Sequence, residues 1–132
     1  MSATPQMRAH APVLMVGDVV RAHAYYADKL GFRSPRMWGE PPTFCIAERE
    51  GLELMLSQVE PGKGVHPNAD HSGRLDAYFW VNDADALYAE FAANGAEMVC
   101  EPEDRVYGMR EFLVRDPDGH LLCFGHDTTG AA

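Results

Sequence analysis

With 132 residues, 46% of them hydrophobic, and a formal net charge of −9, the chain has the size of one domain, able to bury roughly two-thirds of its unfolded surface without disulfide or metal staples. It has no basic stripe to neutralise phosphates, which excludes a nucleic-acid partner. No apolar run approaches the roughly 20 residues that a membrane-spanning helix requires, and the acidity favours solubility and cationic ligands.

In chain order, residues 11–16 are apolar throughout, as in a strand covered on both faces. Asp18 then caps a helix predicted over 19–30, with Val20, His23, Ala24, Ala27 and Leu30 at helical spacing and Gly31 as its stop. Strands are expected at 33–38, 43–48 and 52–58, the last two joined by a turn at Glu50-Gly51. In the third of these, Leu52, Leu54 and Leu56 face the helix, while Glu53, Met55 and Ser57 face the other way. Residues 60–73, rich in Pro, Gly, Asn and His, read as a loop between two halves.

The order then repeats. A strand at 75–81 leads to a helix capped by Asp83 or Asn82 and carrying Leu87, Tyr88, Phe91 and Ala92, with Gly95 as its stop. A strand at 96–101 and a hairpin within 107–124, turning at 116–119, complete the chain. Asp18 with Asn82 and Gly31 with Gly95 recur at one offset; Gly51 with Gly119 is four residues further apart. The predicted fold class is α+β: two βαβββ modules forming a curled mixed sheet around a cleft, with module one at about 10–60, a linker at 61–73 and module two at about 74–127. Cys45, Cys100 and Cys123, odd in number and without CxxC spacing, fit the buried thiols of a reduced compartment. Residues 1–8 lack the basic start and apolar core of an export signal, so the expected location is the cytoplasm.

The runs Pro12-Val-Leu-Met-Val-Gly-Asp18, Tyr25-Tyr-Ala-Asp-Lys-Leu-Gly-Phe32, Tyr78-Phe-Trp-Val81, Leu87-Tyr-Ala-Glu90 and Gly108-Met-Arg-Glu-Phe-Leu-Val-Arg-Asp-Pro-Asp-Gly119 carry a resemblance. The chain resembles the glyoxalase/bleomycin-resistance/extradiol-dioxygenase (vicinal oxygen chelate) superfamily, and within it the bleomycin-resistance proteins. The resemblance implies paired modules around a cleft in a homodimer, and Pro12 resembles the proline at which drug-binding relatives exchange their N-terminal strand. Metal-dependent relatives place ligands at positions that correspond here to Ala11, Met55, Asp76 and Cys123. Alanine has no donor atom, and Met and Cys are soft ligands poorly matched to Mg, Mn or Fe(II), so no metal and no cofactor are expected. His10 or Glu53 could enter that site only if the strand register slipped.

Without a metal the cleft reads as a binding surface. The predicted ligand-binding residues are Trp38, Phe44, Glu53, Ser57, Asp76, Tyr78, Trp80 and Tyr107. Ring faces and carboxylates together suit a small aromatic, cationic molecule. The resemblance assigns drug contacts to Phe44, Ser57, Tyr78 and Tyr107. No nucleophile arrangement emerges and no catalytic residue is assigned. Arg110 with Glu111, and Arg115 with Asp116, read as structural pairs. The function expected is metal-free sequestration of such a compound, as in bleomycin resistance. The alternative is a metal-dependent glyoxalase- or dioxygenase-like enzyme, or metal-free lyase chemistry by Glu53 and Asp76 facing each other across the cleft.

Overall fold

Each half of the chain builds one sheet and lays one helix on it. The computed structural model describes residues 4–130, apart from the side chains of residues 34 and 35; the first three residues of the segment read for an export signal lie outside it. Module one comprises β1 (Val13–Val16), α1 (Val19–Leu30), β2 (Arg33–Trp38), β3 (Phe44–Arg49) and β4 (Leu52–Gln58). Module two comprises β5 (Ala77–Trp80), α2 (Ala84–Ala93), β6 (Glu97–Asp104), β7 (Met109–Arg115) and β8 (Leu121–Asp127). The sheets run β1-β4-β3-β2 and β5-β8-β7-β6. In each, the first strand pairs parallel with the fourth, which the helical crossover permits. No helix among the described residues is long and apolar enough to cross a membrane.

The alternation read from the sequence decides which face each sheet buries. Leu14, Val16, Cys45, Ala47, Leu54 and Leu56 meet Val19, Ala22, Tyr26 and Leu30 of α1; Phe112, Val114, Leu122 and Phe124 meet Ala84 and Phe91 of α2. The two halves share one core, joined where Phe32 packs edge-on against Phe79 at 5.7 Å and Phe79 stacks on Phe124 at 4.7 Å. Leu52 departs from the expected pattern: it is 54% exposed, as the first residue of β4 next to the turn. The Glu50-Gly51 turn takes positive φ at both residues (53° and 82°), the geometry of a two-residue hairpin.

Several boundaries differ from the sequence reading by a residue or more, β5 among them at Ala77–Trp80, and one open choice is decided. β1 starts at Val13, although the Pro12 carbonyl already accepts from Met55 N at 2.9 Å. The second helix is capped by Asp83, so the true equivalent of Asp18 lies one residue after Asn82. β6 runs on to Asp104 through Pro102, which this edge strand tolerates where its pairing with β7 is irregular, between Cys100 and Glu103.

Candidate functional site

With one face of each sheet buried under a helix, the other is left open. On sheet one the register sets Trp38, Phe44, Ser57 and Met15 side by side across β2, β3, β4 and β1. The rings of Trp38 and Phe44 lie 5.5 Å apart. Arg36 reaches over Trp38, 6.0 Å from the ring centre, and ion-pairs with Glu53 at 3.1 Å.

Sheet two carries the more elaborate group. Gly125 of β8 stands in register between Trp80 of β5 and Glu111 of β7. Tyr78 crosses over that glycine and donates its hydroxyl to Glu111 Oε2 at 2.7 Å, and Tyr107 donates to Glu111 Oε1. Arg105 Nε lies 3.4 Å from the same carboxylate. Glu111 is only 5% exposed. Burial pushes its carboxyl up, but hydrogen bonds from Tyr107, Tyr78 and Cys123 and the charge of Arg105 outweigh it and hold the group below the usual carboxylate range. The same contacts act in reverse on the partners: burial and then Glu111 raise the Tyr78 phenol, and burial and the Glu111 charge push the Cys123 thiol up to about 12. Trp80, 76% exposed, lies 5.0 Å from the Tyr78 ring.

The eight predicted site residues therefore fall into separate groups. Trp38, Phe44 and Ser57 share the open face of sheet one. Glu53, Tyr78 and Trp80 line one pocket of about 300 Å³ with His10, Pro12 and Leu52. Tyr107 joins Tyr78 through Glu111. Asp76 stands apart: its side chain is 6% exposed, and it accepts from Asn68 N at 2.8 Å and Leu121 N at 2.9 Å while facing His120 Nδ1 at 3.2 Å. With Glu53 held by Arg36 and Asp76 tied to these backbone groups, the two carboxylates serve different partners instead of one shared proton.

Sequence reasoning missed Glu111 by pairing it with Arg110. Arg110 instead binds Asp85 at 2.9 Å and Asp104 at 3.1 Å. Arg115 pairs with Glu97, not with Asp116, whose carboxylate accepts from Tyr26 Oη at 2.7 Å. The available signal was Gly125: a lone glycine inside an apolar strand marks a place where another group comes close.

A family model described as the Glyoxalase/Bleomycin resistance protein/Dioxygenase superfamily matches residues 8–124. The chain belongs to that superfamily. Among solved structures, the bleomycin-binding protein of bleomycin-producing Streptomyces verticillus, complexed with copper(II)-bleomycin, is 26% identical with a TM-score of 0.70, over 92% of this chain and 97% of that one. TioX from Micromonospora sp. ML1 is similar in fold at 24% identity and a TM-score of 0.72, over 92% and 99% of the two chains. A glyoxalase-related enzyme from Clostridium phytofermentans superposes at 0.73 with 17% identity, over 96% and 99%. No curated protein sequence matches the chain.

Metal-dependent members of the superfamily hold a divalent ion, and the donors offered here do not fit one. Ala11 has no donor, Met55 is a thioether, Cys123 is a fully buried thiol held protonated, and Asp76 is tied to two backbone amides. His10 and Glu53 do line one pocket, but they are two donors, and Glu53 already pairs with Arg36. Among the described residues no three His, Cys, Asp or Glu side chains group as ligands.

Proposed function

We propose that this superfamily member is a metal-free, cytoplasmic binding protein that sequesters a small aromatic, cationic compound. The observation that carries the reading is the ring-lined open face of sheet two, where Tyr78 and Tyr107 close on the ionised Glu111 and Trp80 stands beside Tyr78. Flat ring faces stack on these side chains, and the net charge of −9 draws cations from solution. Trp38, Phe44 and Ser57 extend the surface on sheet one, and Glu53 contributes to the pocket beside Trp80. Asp76 acts at one remove, by holding the chain that leads into β5. Likeness to the Streptomyces verticillus protein, which is complexed with copper(II)-bleomycin, supports the same reading.

The protein acts as a homodimer in this proposal. Val13, Met15, Trp38 and Trp80 are exposed on the open faces of the single chain, apolar surface that a second copy could cover. A second copy would cover part of it and make each cleft composite, with Pro12 as the point where the N-terminal strands could exchange. Light scattering on the purified protein is expected to give twice the chain mass.

Both tryptophans of the chain, Trp38 and Trp80, stand on the open faces, so their fluorescence reports occupancy directly. Titration with copper(II)-bleomycin and with 9-aminoacridine is expected to quench this emission saturably and to raise the melting temperature. Absence of both responses to either compound sinks the reading. The alternative, a metal-dependent enzyme, predicts near-stoichiometric Mn, Fe, Ni or Zn in the purified protein by elemental analysis; the donor set described above argues for background levels.

A further inference from the structure

We propose that the open face of sheet two selects ligands that present N–H hydrogen-bond donors, because Glu111 fixes the phenol oxygens of Tyr78 and Tyr107 as acceptors. The proposal rests on the aromatic-cation reading and narrows it to aromatic amines and amidines.

A phenol has one proton to give. Tyr78 gives its proton to Glu111 Oε2 at 2.7 Å, and Tyr107 gives its own to Oε1. What each hydroxyl then turns toward a ligand is lone pairs alone. A carboxylate is an acceptor on both oxygens only while ionised, and Glu111 is held in that form by its four partners. The arrangement is built into the backbone. A Cβ at Gly125 would collide with Tyr78 Oη and stand 3.0 Å from Glu111 Cβ, so only glycine in register between Trp80 and Glu111 lets the Tyr78 ring reach across β8.

The ligand does not reach Glu111 itself, which is 5% exposed and already takes a proton on each oxygen. It meets the two phenol oxygens, backed by a negative charge that strengthens them as acceptors. A carbonyl, carboxylate or phosphate brought to this face would oppose lone pair to lone pair and lose its water without replacement. Charge alone is a weaker discriminator here, since Arg105 stands 3.4 Å from Glu111 and offsets much of its field. A cation without N–H groups would therefore stack on Trp80 but leave the phenol oxygens unpaired.

Three acridines of nearly one shape test this on the full chain: 9-aminoacridine, a cation with N–H donors; 10-methylacridinium, a cation with none; and acridine-9-carboxylate. Tryptophan quenching is expected to give 9-aminoacridine about tenfold or more tighter binding than 10-methylacridinium, with the carboxylate weakest, as charge-assisted hydrogen bonds imply. In Glu111→Gln the amide donates to one phenol and frees that phenol's proton for the ligand, so the preference for 9-aminoacridine is expected to fall below about threefold. Equal affinity of the two cations in the wild type, or an unchanged preference in folded Glu111→Gln, overturns the proposal while leaving the aromatic-cation reading intact; tighter binding of the carboxylate than of both cations overturns the two together. Binding of none of the three overturns that reading and this proposal with it. Should Glu111→Gln fail to fold by circular dichroism, Tyr107→Phe replaces it: Tyr107 is 63% exposed, so the fold is expected to survive, and an unchanged preference in that variant is equally fatal.

Discussion

At the scale of single residues, Gly125 decides whether the Glu111 group exists. Any side chain there must push Tyr78 off the carboxylate or shift β8, since the clash involves the Tyr78 hydroxyl and the Cβ of Glu111 on the neighbouring strand. Gly125→Ala is expected to destabilise the protein by about 1–3 kcal/mol, the range for overpacking a close contact. Urea denaturation measures this. Separating Tyr78 from Glu111 also removes two of the influences that raise its phenol, so at the same strongly alkaline pH Gly125→Ala is expected to show more tyrosinate absorbance than the wild type. An unchanged titration with a large stability loss would mean that β8 moved and the hydrogen bond survived. The contrast with Asp76 is instructive at the same scale. Both are buried acids in module two, but Asp76 accepts from backbone amides and fixes a loop, whereas Glu111 accepts from two side chains that look outward.

At the scale of elements, the modules repeat down to their caps. In α1, Asp18 Oδ1 accepts from Val20 N at 3.0 Å and Arg21 N at 3.1 Å, and Gln58 Oε1 from the end of β4 accepts from Val19 N at 2.9 Å. In α2, Asp83 Oδ1 accepts from Ala86 N at 3.0 Å, and His126 Nδ1 near the end of β8 accepts from Ala84 N at 2.8 Å. Each helix thus borrows one acceptor from its own parallel strand pair. Asp18→Ala is expected to cost about 1 kcal/mol in urea denaturation, and Asp83→Ala less, because Asp18 satisfies two amides and Asp83 one. Much of this scale was legible in the sequence. The helix over 19–30 and the strands over 33–38 and 52–58 stand where cap, stop and alternation put them, since those signals act within a few residues. The long-range contacts were not legible: Tyr78 to Glu111, Arg110 to Asp85 and Asp76 to Leu121 depend on which elements become neighbours, and local pattern does not specify partners across elements. Of the site, the aromatic positions were readable from strand parity, but the grouping around Glu111 was not.

At the scale of the whole molecule, each module docks its β-hairpin turn on the other module's helix. Arg49, ending β3, grips Glu90 of α2 through two hydrogen bonds of 2.7 and 3.0 Å; the turn after β7 receives Tyr26 and Tyr25 of α1 through Asp116 and the Arg115 carbonyl. Arg49→Ala removes a charge pair that is partly exposed, and a loss of up to about 1 kcal/mol in urea denaturation is expected. The other docking point carries a titratable clamp. His120 donates Nε2–H to the Met15 carbonyl of β1 at 2.6 Å and faces Asp76 with Nδ1 at 3.2 Å, so one imidazole ties the two modules together. Burial disfavours its charged form, but the Met15 carbonyl and the carboxylates of Asp116 and Asp76 outweigh that and raise it above the ordinary histidine value. A raised folded value means that His120 stabilises the fold fully below the unfolded histidine value, about 6.5, and that this contribution is lost as pH rises through the folded value. Asp116, raised chiefly by burial, also loses stability with rising pH, but starting from the carboxylate range near 4. The urea midpoint of the wild type is therefore expected to fall as the pH rises above about 6.5, the unfolded histidine value, and His120→Gln, which keeps a polar group but cannot charge, is expected to flatten that fall. An equally steep fall in His120→Gln would assign the pH dependence to other groups and leave the intermodule clamp uncharged.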